Sequence, residues 1–152
     1  MSRIQLALRI PDLQSAIAFY SKLFDTEPAK LRDGYANLAV TEPPLKLVLI
    51  EGKEGADTRL DHLGVEVAST EDVAAATARL NQAGLSTREE NDTACCYALQ
   101  DKVWVHGPGR EPWEVYVVKA DADTLAKQPS STCCAPTDAV QPGPQATTTS
   151  CC

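Results

Sequence analysis

With 152 residues, the chain is long enough for one domain with a real core and a tail. Its hydrophobic share of 43% is ordinary for a globular domain. A formal net charge of −7 argues against nucleic-acid and anionic-membrane partners, and no apolar run approaches the ~18 residues of a membrane span.

The first stretch, MSRIQLALRIPDLQ, is interrupted by Gln5, Arg9 and Asp12 and lacks a signal peptide's apolar core. The expected compartment is therefore cytoplasmic, with thiols kept mostly reduced. Alternation of apolar residues at Leu6, Leu8 and Ile10 predicts a half-buried strand. A helical stripe follows at Leu13, Ala16, Ile17, Tyr20, Leu23 and Phe24, with Asp12 as its cap. Three short strands come next, PAKLR, YANLAV and LKLVLI, with turns at Asp33-Gly34 and Pro43-Pro44.

The pattern then starts again, 57 residues on. HLGVEV matches QLALRI, so that His62 is the repeat equivalent of Gln5, and Ser69 that of Asp12. A second stripe runs through Val73, Ala76, Leu80 and Ala83 and stops at Gly84. STREE, CYALQ, KVWVH and WEVYVV read as further strands, with turns at Gln100-Asp101 and Gly107-Pro108-Gly109. The expected fold class is α+β, built from two similar modules. Each helix covers one face of its sheet, and the opposite faces are left to form a common cavity.

Strand alternation assigns side chains to that cavity. Gln5, His62 and Glu114 each fall near a strand start and point away from the helices. One imidazole, one carboxylate and one amide oxygen from separate strands can form a three-ligand metal site with open positions, suited to divalent iron. Singly, each also fits a bland role: a hydrogen-bonded structural histidine, a surface carboxylate, a polar filler. His106 lies in a Gly-rich turn and reads as a surface residue.

All six cysteines occur as adjacent pairs: Cys95-Cys96, Cys133-Cys134 and Cys151-Cys152. A disulfide between neighbours closes only a small strained ring, so paired soft ligands explain the pattern better. Composition breaks after Lys119. Residues 1–119 read as the domain, and residues 120–152 as a disordered Cys-containing tail rich in Ala, Thr, Ser, Pro and Gln.

The stretches QLAL, AIAFYSKLF, EPAKLRDGYANLAV, PPLKLVLIE, DHLGVEV, TACCYALQDKVWV and PWEVY, together with the duplicated βαβββ order, resemble the vicinal oxygen chelate (glyoxalase-like) superfamily. Within it they are most similar to the organoarsenical carbon–arsenic lyases and their cadmium-induced relatives. The resemblance implies two βαβββ modules around a metal-containing cavity, with Fe(II) held by Gln5, His62 and Glu114. It implies a trivalent organoarsenical, methyl or aryl, bound by Cys95 and Cys96 and cleaved with O2 to arsenite. The pair suits such a substrate, because methylarsenite has two exchangeable oxygen positions for two thiolates. Adjacent residues of a regular strand face opposite ways, so the pair is expected on a mobile loop after Asn91-Asp92-Thr93. Removal of residues 121–152 is expected to leave turnover intact. Two other readings stand beside this one: a cadmium- or arsenite-sequestering protein without turnover, and a thiol-dependent resistance transferase. The cavity can close within one chain or across a homodimer.

Overall fold

A computed structural model describes residues 2–126; the tail pairs Cys133-Cys134 and Cys151-Cys152 lie outside them. The first module comprises β1 (Arg3–Ile10), α1 (Leu13–Phe24), β2 (Pro28–Arg32), β3 (Tyr35–Val40) and β4 (Leu45–Glu51). The second comprises β5 (Arg59–Glu66), α2 (Thr70–Gln82), β6 (Arg88–Cys95), β7 (Ala98–His106) and β8 (Pro112–Asp121). All eight strands form one curled sheet in the order β2-β3-β4-β1-β5-β8-β7-β6. β1 and β5 lie antiparallel at its centre, and each pairs in parallel with the last strand of its own module. The α+β, two-module expectation holds, and a single chain supplies every strand.

Local chemistry explains both helices. Asp12 accepts from the backbone N–H of Ser15, and Ser69 accepts from that of Asp72, so the repeat-equivalent residues cap equivalent helices. α1 ends at Asp25 in the left-handed conformation, and Gly84 takes a φ of +79° just beyond α2. α1 packs Leu13, Ala16, Ile17, Tyr20 and Phe24 onto Leu38, Leu47 and Leu49 of the first half-sheet. α2 packs Val73, Ala76 and Leu80 onto Val103, Val115 and Val117 of the second. Leu23, expected on the buried stripe, is 58% exposed, because Phe24 beside it turns inward instead. Ala83, expected on the other stripe, is the exposed cap residue of α2.

Three sequence expectations change. Gln100-Asp101 is no turn: β7 runs unbroken through it. Asp101 is buried there and accepts from Thr70 Oγ1, the Asp92 backbone N–H and Lys119, so its turn-like polarity is satisfied inside the sheet. Asn91-Asp92-Thr93 is not a loop but an irregularity within β6, where the register shifts and Asp92 takes a φ of 50°. The body also continues past Lys119. β8 reaches Asp121, and the segment after it hydrogen-bonds the turn that follows β6.

Candidate metal and thiol site

The inner face of the sheet brings Gln5, His62 and Glu114 together. Gln5 on β1 pairs in register with Gly64 on β5, and Gly64 pairs with Glu114 on β8. Glycine leaves the middle strand bare, so the two long side chains meet above it, with Gln5 Nε2 2.9 Å from Glu114 Oε1. A Cβ at residue 64 would stand 3.2 Å from the Tyr116 ring and 3.3 Å from Gln5 Nε2, crowding that meeting point. His62 Nε2 lies 3.0 Å from Gln5 Nε2 and 3.4 Å from Glu114 Oε1. Ligands at ~2.1 Å from one ion, at right angles to each other, stand ~3.0 Å apart. The three side chains have that spacing, and all are buried, at 4%, 8% and 2% exposure. Among the described residues no group of three His, Cys, Asp or Glu side chains is placed to hold an ion, so a site here depends on the Gln5 amide.

Partners fix each candidate ligand. Asp61 takes the Nδ1 side of His62 at 2.6 Å, which turns Nε2 to the cavity. Sequence reasoning missed Asp61, because neighbours on a regular strand face opposite ways. The β1–β5 register shifts at this point, pairing Ala7 with His62 and Leu8 with Leu60, so that Asp61 is the extra residue of a bulge. Lys102 donates to Glu114 Oε2 at 2.7 Å, leaving Oε1 to face Gln5 and His62. Burial alone would lower the His62 pKa, but its hydrogen bonds with Asp61 and Glu114 raise it to about 9. Burial would raise Glu114, yet His62 and Lys102 hold it below the ordinary carboxyl value. The surroundings of His62 thus favour a positive charge at this point.

The thiol pair stands at the end of the β6–β7 hairpin. Cys95 closes β6 opposite Ala98, and Cys96-Tyr97 form a two-residue turn with φ of 55° and 59°. Such turns usually carry Asn-Gly, since both residues need positive φ. Here a non-glycine pair accepts strain of about 1–2 kcal/mol per residue. Neighbouring chain holds it there. Cys96 N–H donates to the carbonyl of Leu125, Tyr97 N–H to that of Thr124, and Ala122 N–H to that of Tyr97. Lys30 Nζ donates to the Tyr97 carbonyl, and the Tyr97 hydroxyl reaches the Asp33 carbonyl. In place of the expected mobile loop stands a tight, tethered turn. A cut before residue 121 would remove three of its hydrogen-bond partners, so the expectation for the tail applies to residues after 126.

The left-handed turn also answers the facing problem. It swings Cys96 back beside Cys95, with sulfurs 3.2 Å apart and both thiols free. Two thiolates bonded at ~2.3 Å and at right angles on one soft atom stand ~3.3 Å apart. The Cys96 hydrogen bond, aided by the charge of Lys102, lowers the Cys95 pKa to about 7. The same bond, with burial, pushes Cys96 up. Near pH 7 about half the molecules therefore hold a single proton between the two sulfurs. Iodoacetamide alkylation of Cys95, followed by peptide mass mapping, should show a midpoint near pH 7 and a plateau above pH 8. A rate still climbing at pH 9 would mean an ordinary thiol.

Two spaces meet at this wall. An inner cavity of about 60 Å³ is lined by Gln5, His62, Glu114, Lys102, Cys96 and Gln100, among others. An outer cleft of about 510 Å³ is lined by Cys95, Cys96, His62, Lys102, Trp104 and Leu125, among others. His62, Cys96 and Lys102 belong to both. Gln100 Oε1 and Trp104 Nε1 are buried without a hydrogen-bond partner among the described residues, one at each space. His106 is exposed at the end of β7 and takes no part.

The profile of the Glyoxalase/Bleomycin resistance protein/Dioxygenase superfamily matches residues 3–115. The chain belongs to that superfamily. It is 68% identical over 143 residues to the "Trivalent organoarsenical cleaving enzyme" of Thermomonospora curvata, covering 94% of this chain and 95% of that protein. It is 58% identical over 129 residues to "Cadmium-induced protein CadI" of Mycobacterium tuberculosis, covering 85% and 84%. An enzyme of Bacillus sp. (strain MD1) with the same name as the first is 38% identical, over 88% of this chain and 83% of its own. Among solved structures, an extradiol ring-cleaving dioxygenase from B. fuscum superposes with a TM-score of 0.58 at 22% identity, over 80% of this chain and 34% of that one. That likeness shows the superfamily fold. No described helix is long and apolar enough to cross a membrane.

Proposed function

We propose that this protein cleaves the carbon–arsenic bond of trivalent organoarsenicals to give arsenite, with Fe(II) and O2. One observation carries the reading: the Cys96 thiol lines the same inner cavity as Gln5, His62 and Glu114. The names of the relatives, at 68% and 38% identity, support the substrate class.

Gln5, His62 and Glu114 would hold the iron. Bound there, Fe(II) supplies a redox-active centre with positions open to dioxygen. The protein's part is positioning. The Cys95 thiolate and then the Cys96 thiol displace the two exchangeable oxygens of arsenic. Each exchange forms an S–As bond and breaks an As–O bond; at the Cys95 thiolate the departing hydroxide takes a proton from solvent, and at Cys96 it takes the thiol's own proton, so each oxygen leaves as water. The carbon substituent is left unbound, and the shared wall sets it toward the inner cavity. A methyl group fits that space. An aromatic ring exceeds it and extends into the outer cleft, against Trp104. The overall balance for methylarsenite closes: methylarsonous acid plus one dioxygen holds the atoms of arsenous acid plus formaldehyde. Water then returns the thiols and releases the product, whose third exchangeable position two sulfurs leave unfilled.

The test is anaerobic reconstitution with Fe(II), then methylarsenite and air, with arsenite and formaldehyde both quantified. Equal amounts of the two, dependent on iron and air, are expected. Tight arsenical or cadmium binding without formaldehyde would instead favour sequestration, the reading that the CadI relative and the free thiol pair recommend.

A further inference from the structure

We propose that the buried Tyr116 hydroxyl, held by Glu66 and Lys46, is a positioning group that turns the amide of Gln5 oxygen-inward when a cation binds. The inference rests on the reading of Gln5, His62 and Glu114 as a cation site.

Too few protons surround Tyr116 Oη for the acceptors it meets. A tyrosine hydroxyl has one proton to give and two lone pairs to receive. Around Tyr116 Oη stand two acceptors, Gln5 Oε1 at 2.5 Å and Glu66 Oε2 at 3.0 Å. One donor, Lys46 Nζ, stands at 3.1 Å. The single proton cannot serve both acceptors. Glu66 is itself fixed by Arg3, at 3.1 and 3.3 Å, and by Lys46 at 3.4 Å, so it stays in place as an acceptor. At its other end, Gln5 presents Nε2 to His62 and Glu114. That orientation suits a cation-free site, since a neutral amide nitrogen donates hydrogen bonds and does not ligate.

Half a turn of the amide exchanges its two ends. Nε2 then donates to Tyr116 Oη, Lys46 fills the second lone pair, and the tyrosine proton goes undivided to Glu66. Every group around Tyr116 is satisfied. Inward, Oε1 now faces Glu114 Oε1, and these two acceptors oppose each other until a cation lies between them. The outer partners favour the ligating orientation, and the inner side tolerates it only with a cation present. Tyr116 is fully buried, and the bare strand at Gly64 lets its ring pack beside Gln5. The hydroxyl therefore has no freedom to seek other partners.

Mn(II) tests this cleanly, because a hard cation prefers the oxygen and nitrogen donors to the thiols. Its free-ion EPR signal reports binding to the full-length chain. Four proteins are compared: wild type, Tyr116→Phe, Gln5→Glu, and the double variant. A carboxylate at residue 5 offers oxygen at either end and needs no orienting. Tyr116→Phe is expected to weaken Mn(II) binding about tenfold with Gln5 in place, and less than about twofold beside Gln5→Glu. Equal losses in both backgrounds would make Tyr116 a packing residue, and no loss beside Gln5 would remove the role altogether. Either result overturns the inference and leaves the cation site standing. Wild-type protein that binds no Mn(II), or that binds it equally after Glu114→Ala, overturns the cation site and the inference with it.

Discussion

Glu114→Ala should abolish organoarsenical cleavage and weaken Fe(II) binding by more than about a hundredfold, beyond the loss of any outer partner of a ligand. It should also lower stability by about 3 kcal/mol, because it strands a buried charge. Lys102 is buried with its ammonium on Glu114 Oε2, and His62 shares the same carboxylate. The two effects are separable. Glu114→Gln keeps a hydrogen-bond acceptor for Lys102 but still leaves its charge uncompensated, so only part of the stability should return while iron binding stays weak. Fe(II) equilibrium dialysis and urea unfolding read the two quantities independently. Wild-type iron affinity in Glu114→Ala would remove Glu114 from the site.

Cys96→Ser should weaken capture of methylarsenite by at least about a thousandfold, with Fe(II) binding unchanged. The second S–As bond forms within a complex already tethered through Cys95, and its loss forfeits that intramolecular advantage. The 3.2 Å sulfur spacing and the positive φ at Cys96 set both sulfurs side by side, as two-point capture requires. Competition against a dithiol of known arsenic affinity gives the number. The cleavage rate at saturating substrate should fall as well, since a singly held arsenical turns freely in the 510 Å³ cleft. Unchanged capture would assign the pair a structural role.

Much of this site was legible in the sequence. Alternation in three strands placed Gln5, His62 and Glu114 on one face, and the 57-residue repeat marked Gln5 and His62 as equivalents. These signals survive because one face of each strand is covered by a helix, and a shift of one residue would expose the whole core. What escaped detection sits where the pleat breaks. Asp61 reaches His62 only through a bulge, which local composition does not announce. Asp101 looks like a turn residue and is a buried acceptor, because Thr70 and Asp92 arrive from distant segments to satisfy it. Cys96-Tyr97 lacks every usual mark of a two-residue turn. Its left-handed backbone is imposed by Lys30, Thr124 and Leu125, none of them local. Tyr116, two residues after Glu114 on β8, shares its face, yet its role depends on Glu66 and Lys46 from other strands.

The central claim is spatial: one iron and one thiol-bound arsenic would meet at a single inner cavity, with the carbon between them. Crystals loaded anaerobically with Fe(II) and methylarsenite, measured at the iron and arsenic absorption edges, test it most directly. The account predicts an iron peak among Gln5, His62 Nε2 and Glu114 Oε1, and an arsenic peak bonded to both Cys95 and Cys96 sulfurs. Iron bound elsewhere, or arsenic on the thiols with its carbon turned away from the inner cavity, would contradict it.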